Sequence, residues 1–303
     1  MRLPADRLRS IGKDHPARGR LTAVGLVVAS AFCAQLGAAF AVGLIRSSTP
    51  SMAAMVRNLV GALVLLALLG LRGGSLRGIS WRPALLLGVI LGVMNTSFYA
   101  GIDKLPLGDA VAVEFIGPVA VAAITSSMRR ELIWVALATL GVLAISHPGP
   151  DHLSYEGIAY VMVAGTCWGA YILVGRRVAL GGRRADTLAV AMVFSAAVLV
   201  VPALLQAAPA LTSTHFLLLA AGVGVLSSAI PYSVELMAME RVPPTIFGVL
   251  LSLQPFMAAL MGFLVLGQHI SLLEAAGLVL VIAASVGVTL GGGEATAEPV
   301  AAT

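Results

Sequence analysis

The segments K-L-P-L-G-D-A-V-A-V-E-F-I-G-P-V (104–119) and R-V-P-P-T-I-F-G-V-L-L-S-L-Q-P-F (241–256) align at a constant offset of 137 residues. Pro106 matches Pro243, Pro118 matches Pro255, and just upstream Asp103-Lys104 matches Glu240-Arg241. Each begins with a charged residue and proline and continues as an apolar run. The pair therefore reads as one unit of an internal repeat.

The rest of the chain supplies similar units. Of its 303 residues 59% are hydrophobic and 11% charged, against about 25% charged in a soluble domain. Water does not solvate so apolar a surface, and the composition points to a bilayer as solvent. A transmembrane helix needs about 20 predominantly apolar residues. Ten segments qualify, at about 22–45, 50–71, 83–101, 106–127, 132–147, 156–175, 187–206, 215–237, 244–266 and 272–290. The repeat then makes spans 3–4 recur as spans 8–9, which divides the chain into two halves of five. Because five is odd, the second half enters the membrane in the opposite sense. The expected fold is an all-α membrane protein of ten transmembrane helices in two inverted five-helix repeats, an architecture that handles cargo near the midplane.

Charge orients these spans. With the N-terminus inside, sixteen of the nineteen lysines and arginines fall on the cytoplasmic side, Arg46 and Lys104 outside, and Arg57 within a span. That asymmetry is the positive-inside pattern. The apolar run from Leu21 to about Ile45 is too long for a signal-peptide core. The expected organisation is a cytoplasmic basic tail at 1–20, repeats at 21–148 and 155–290, and a disordered C-terminal tail at 291–303, with both termini cytoplasmic.

Several chemistries lack their residues. No G-x-x-x-x-G-K-[ST], H-E-x-x-H or G-x-S-x-G pattern occurs, which lowers the case for an ATP engine or an intramembrane hydrolase. Cys33 and Cys167 have no ligand-like spacing, so neither a metal site nor a disulfide is expected. His147, Asp151 and His152 flank a Pro-Gly-Pro turn and read as a loop. No cofactor and no nucleic-acid partner are expected. The partners are the bilayer, a small zwitterionic metabolite and protons, with a homodimer as a candidate assembly.

Polar groups within apolar spans are costly and mark function. Glu114 lies eight residues past Pro106, about 12 Å down its helix and near the midplane. Pro118 removes the hydrogen bond to the carbonyl four residues back, which is that of Glu114. This place offers a carboxyl and a freed carbonyl to an ammonium group, a proton or a water; the alternative is a kink whose carboxyl is protonated or paired. Arg57 suits bidentate binding of a carboxylate, an ion pair with Glu114, or snorkelling outwards. Gln35, Asn95 and Tyr99 suit either a zwitterion or interhelical hydrogen bonds. Trp168 and Tyr171 line a cavity or pack. Pro231 and Tyr232 break the eighth span. Glu235 either faces a cytoplasmic vestibule or pairs with Arg241. Leu251 stands where the repeat would place a second Glu114, and Gln254 precedes Pro255, so the halves differ chemically.

The runs G-V-M-N-T-S-F-Y (92–99), P-L-G-D-A-V-A-V-E-F-I-G-P-V-A-V-A (106–122), C-W-G-A-Y-I-L (167–173), S-S-A-I-P-Y-S-V-E-L-M-A (227–238) and F-G-V-L-L-S-L-Q-P (247–255) resemble the bacterial threonine/homoserine exporter group. That group lies in the EamA branch of the drug/metabolite transporter superfamily. The resemblance spans the chain from the first helix to the tenth. It implies a proton-driven inner-membrane exporter of homoserine, threonine or related small polar metabolites, working by alternating access. Gln254 is a departure, because similar proteins often carry an acid before this proline. Rival readings are a different cargo (a purine, a cationic drug, a sugar conjugate), an intramembrane enzyme acting on a lipid, and a structural membrane subunit.

Overall fold

A computed structural model describes residues 16–73, 79–105, 107–126, 129–145, 154–181, 183–205, 213–266 and 271–291. Regular structure among them is entirely helical. The order is α1 (Pro16–Arg46), α2 (Pro50–Leu71), α3 (Trp81–Ile102), α4 (Leu107–Glu114), α5 (Ile116–Thr125), α6 (Arg129–Ile145), α7 (Tyr155–Leu180), α8 (Arg184–Leu205) and α9 (Thr214–Gly224). A π-helical turn (Val225–Ala229) then leads into α10 (Ile230–Met239), α11 (Pro244–Leu250), α12 (Leu253–Leu266) and α13 (Leu272–Gly291). Pro106 and the 147–152 loop lie outside the described residues.

Seven described helices are long and apolar enough to cross a membrane: Gly19–Arg46, Pro50–Leu71, Trp81–Ile102, Tyr155–Leu180, Arg184–Leu205, Thr214–Met239 and Pro244–Val265. Shorter apolar helices occupy Ile116–Thr125, Leu132–Ala144 and Ala275–Ala284. Large apolar side chains also face outwards, Leu63, Leu143, Leu204, Leu218 and Val279 among them, as suits a chain surrounded by lipid rather than water. A helix satisfies its backbone groups internally, which lipid requires. The chain is a multi-pass membrane protein.

Local sequence sets where the helices start. Thr49 caps α2, its hydroxyl accepting from the Met52 N–H at 3.2 Å, and Pro50 follows at the first turn, where a missing N–H is harmless. Ser154 caps α7 in the same way through Gly157 N–H at 3.1 Å.

Proline sets where they break. The expected fourth and ninth spans are each two segments, interrupted at Phe115 and at Leu251–Ser252. Both interruptions fall three residues or so before Pro118 and Pro255, where the proline ring meets the carbonyl of the preceding turn. The eighth span differs from expectation. Pro231 does not break it, because the π-turn absorbs the misfit: Ile230 N–H reaches back five residues to Val225.

Packing is almost wholly between early and late helices. α3 lies against α7 and α8, α2 against α8, α6 against α13, and α1 against α10, α12 and the π-turn, while α4 and α5 pack on α7 and α5 meets α11. The crossing of α4–α5 with α7 is backbone-close. A Cβ at Gly117 would stand 1.9 Å from the Gly165 carbonyl oxygen, and one at Gly165 2.6 Å from that of Glu114. Only glycine permits this approach. α10 is held at its C-terminal end by Arg176 of α7, whose Nη1 donates to the Met239 carbonyl at 2.7 Å and also to that of Val242, satisfying carbonyls a helix end leaves open.

Candidate functional site

α1, α2, α3, α4, α7, α10, α12 and the π-turn line a cavity of about 80 Å³. Its wall includes Gln35, Arg57, Asn95, Glu114, Trp168, Tyr232, Glu235 and Gln254, together with Met94, Phe98 and Ser227. Eight of the eleven residues singled out from the sequence thus meet at one place. Two of the other three stand just behind it. The Tyr99 ring centroid is 5.4 Å from the Arg57 guanidinium carbon, a cation–π distance. Tyr171 reaches Glu235, and Pro118 acts only through the break it imposes on α4–α5.

Arg57 is buried, 7% exposed, and does not snorkel. Its Nε donates to Ser228 Oγ at 2.9 Å, and its Nη2 to the Ser227 carbonyl at 2.5 Å and to Tyr232 Oη at 3.3 Å. The Ser227 carbonyl is available because Pro231, four residues on, has no N–H to offer it. A directed chain continues from there. Tyr232 Oη donates to Asn95 Oδ1 at 2.9 Å, Asn95 Nδ2 to Asn58 Oδ1 at 3.0 Å, and Asn58 Nδ2 to Ser195 Oγ at 2.9 Å. Arg57 Nη1 takes no part in these bonds. No ion pair joins Arg57 to Glu114.

Glu235 is 3% exposed, lines the cavity and does not pair with Arg241. Ser30 Oγ donates to its Oε1 at 2.7 Å, Tyr171 Oη to its Oε2 at 2.9 Å, and Gln254 Nε2 to its Oε1 at 3.4 Å. Arg241 instead stands 3.7 Å from Glu240, which also pairs with Arg184. The reason is the face of the helix. Glu235 points into the cavity, whereas Arg241, six residues on, folds back along the exposed side of α10 and donates to the Met237 carbonyl. Gln35 Nε2 donates to Gln254 Oε1 at 2.9 Å and so joins α1 to the same network.

Glu114 is 8% exposed, lines the cavity and has no hydrogen bond to a described residue. The carbonyl that Pro118 frees is not offered to the cavity. It lies against Gly165 of α7, where the absent side chain leaves room for it. Trp168 closes this side, its ring 6.3 Å from that of Phe115 and edge-on to it.

Sequence reading missed Ser30, Asn58, Ser195, Ser227 and Ser228. Four of these are hydroxyls, which are common in membrane helices and carry no spacing signal. Ser227 was within reach, because the proline rule applied to Pro118 points to it when applied to Pro231.

Chemically, the cavity presents one guanidinium, two carboxyls and several amide and hydroxyl groups. It can hold a small molecule bearing both a positive and a negative group. Among the described residues no group of three or more His, Cys, Asp or Glu gathers as a metal site would.

The EamA-like transporter family matches over residues 155–290. The threonine/homoserine exporter RhtA of Salmonella typhimurium (strain LT2) is 41% identical over 210 residues, 69% of this chain and 71% of that protein. The RhtA exporter of Escherichia coli (strain K12) is 40% identical over the same extent. A solved crystal structure superposes with a TM-score of 0.72 at 19% identity, covering 88% of this chain and 97% of the other, which shows the shared fold. The chain belongs to the EamA-like transporter family, in the group of the threonine/homoserine exporters.

Proposed function

We propose that this membrane protein exports a small zwitterionic amino acid of the threonine/homoserine kind in exchange for protons. One observation carries the reading: Glu114, a buried carboxyl without a hydrogen bond to any described residue, shares a small cavity with the buried cation Arg57. A bare charge in such a place is costly. A cargo ammonium group on Glu114 and a cargo carboxylate on Arg57 relieve both charges together. On the return stroke a proton on Glu114 takes the place of the ammonium group. A cavity of about 80 Å³ is far below the roughly 300–1,000 Å³ of drug-sized pockets. That favours an amino-acid-sized cargo over a cationic drug or sugar conjugate. The names of the RhtA relatives supply the cargo class.

Ten spans in two inverted halves, 21–148 and 155–290, complete the proposal, with both termini cytoplasmic and alternating access between the halves. The packing supports it through a symmetry. Let the spans be α1, α2, α3, α4–α5, α6 and then α7, α8, α9–α10, α11–α12, α13. Exchanging the halves turns the contact of α3 with α7 into that of α9–α10 with α1. It turns α3 with α8 into α9–α10 with α2, and α4–α5 with α7 into α11–α12 with α1. All six contacts are present. α2 with α8, α6 with α13, and α4–α5 with α11–α12 map onto themselves.

The test is a substrate screen. Cells overexpressing the protein are expected to resist threonine and homoserine analogues, and inverted vesicles to accumulate both amino acids only with a proton gradient. Glu114→Gln is expected to reach the membrane and transport neither. Normal export by that variant, or accumulation of both without a gradient, would sink the reading.

A further inference from the structure

The wall of the cavity holds one more acceptor without a partner. Gln35 is 7% exposed, and no described group donates to its Oε1. Its orientation is fixed from behind. Three donors, Ser30, Tyr171 and Gln254, converge on Glu235, as suits an acceptor-only carboxylate. Gln254 can donate to Glu235 only through Nε2, which leaves its Oε1 to receive Nε2 of Gln35. Turning Gln35 over would set two carbonyl oxygens face to face. The chain therefore fixes Gln35 Oε1, a buried atom, as an acceptor and nothing else.

The same chain gives Gln254 a physical reason to be an amide. A carboxylate at 254 could accept from Gln35 but not donate to Glu235, and two buried carboxylates would then oppose each other. Only a group with both a donor and an acceptor end transmits the orientation.

A hydroxy amino acid carries three polar groups. Under the reading above, Glu114 takes its ammonium and Arg57 its carboxylate. The remaining polar group is the hydroxyl. Of the two buried side-chain polar atoms without a partner among the described residues, Gln35 Oε1 and Tyr99 Oη, only Gln35 belongs to the cavity wall. We infer that Gln35 is the specificity-determining residue that accepts the cargo's hydroxyl, with Gln254 as its positioning residue. The inference rests on the proposed amino-acid export. Where a site is built to bond a hydroxyl, an analogue lacking it leaves the buried acceptor unpaired, and is rejected for that reason.

The deoxy analogue of both threonine and homoserine is 2-aminobutyrate, which makes the test direct. The full-length protein is reconstituted in liposomes, and unlabelled threonine, homoserine and 2-aminobutyrate compete against labelled threonine. In the wild type, 2-aminobutyrate is expected to compete about tenfold more weakly than either hydroxy acid, the size of one hydrogen bond. Gln35→Met is expected to narrow that gap to about twofold by weakening the hydroxy acids and sparing 2-aminobutyrate. Gln254→Met is expected to narrow it in part. Equal competition by all three in the wild type overturns the inference, as does a gap unchanged in both variants. Equal weakening of all three in Gln35→Met assigns Gln35 a structural role and also overturns it. Should Gln35→Met not fold, the wild-type gap and Gln254→Met decide alone. A wild type that transports none of the three fails the export reading itself, which is a different result from transport without discrimination.

Discussion

Glu114 and Glu235 line the same cavity and are almost equally buried, at 8% and 3% exposed, yet their surroundings are opposite. Glu235 receives bonds from Ser30, Tyr171 and Gln254. Glu114 receives none from the described residues. A carboxylate with three donors is part of the scaffold, since its satisfied oxygens have little left to give a cargo. A carboxylate with none stays available. Burial alone would rank the two acids as equal candidates for cargo binding; their hydrogen bonds separate them.

The two prolines near these acids repeat the lesson. Pro118 and Pro231 each free a carbonyl one turn back. Arg57 takes the carbonyl of Ser227, whereas Gly165 covers that of Glu114. The same local defect becomes a charge anchor at Pro231 and a tight helix crossing at Pro118. The difference lies in the neighbouring helix.

Removing each acid tests the contrast most sharply. Glu235→Ala leaves three buried donors without an acceptor and is expected to cost about 4 kcal/mol, read as a large drop in the thermal midpoint of the detergent-solubilised protein. Glu114→Ala is expected to leave that midpoint nearly unchanged, and equal drops for both would erase the distinction. Next in size is transport. Glu114→Gln is expected to lower export about 100-fold, the upper end for one hydrogen bond to a charged group, at unchanged membrane abundance. Gly165→Ala is expected to cost about 2 kcal/mol, because its Cβ would press on the Glu114 carbonyl; a neutral effect on the midpoint would show that α4 and α7 can separate freely. The smallest effect belongs to the half-exposed pair of Arg184 and Glu240. Glu240→Gln is expected to shift stability by less than about 1 kcal/mol, and a larger loss would move part of the scaffold from the cavity to the end of α10.

Much of the helix layout was legible because its causes are local. Apolar runs, the caps at Thr49 and Ser154, and the breaks before Pro118 and Pro255 each depend on residues a few positions apart. The convergence of eight candidate residues was also foreseeable, since polar groups in apolar spans have few tolerable places other than an interior shared with one another. Their pairing was not. Ser30 and Glu235 are 205 residues apart, and Gln35 and Gln254 are 219 apart. No spacing rule relates such positions, so the sequence offered Glu235 only a vestibule or its neighbour Arg241.

The sequence by itself determined that this chain lies in a membrane, that it is helical, and which residues are too polar for their surroundings. Those properties follow from side-chain chemistry summed along a single helix. Only the tertiary structure decided which acid is held and which is open, and which freed carbonyl meets a cation. Those outcomes depend on the rotation and depth of one helix against another, and a hydrogen bond is made or lost over less than an ångström of either.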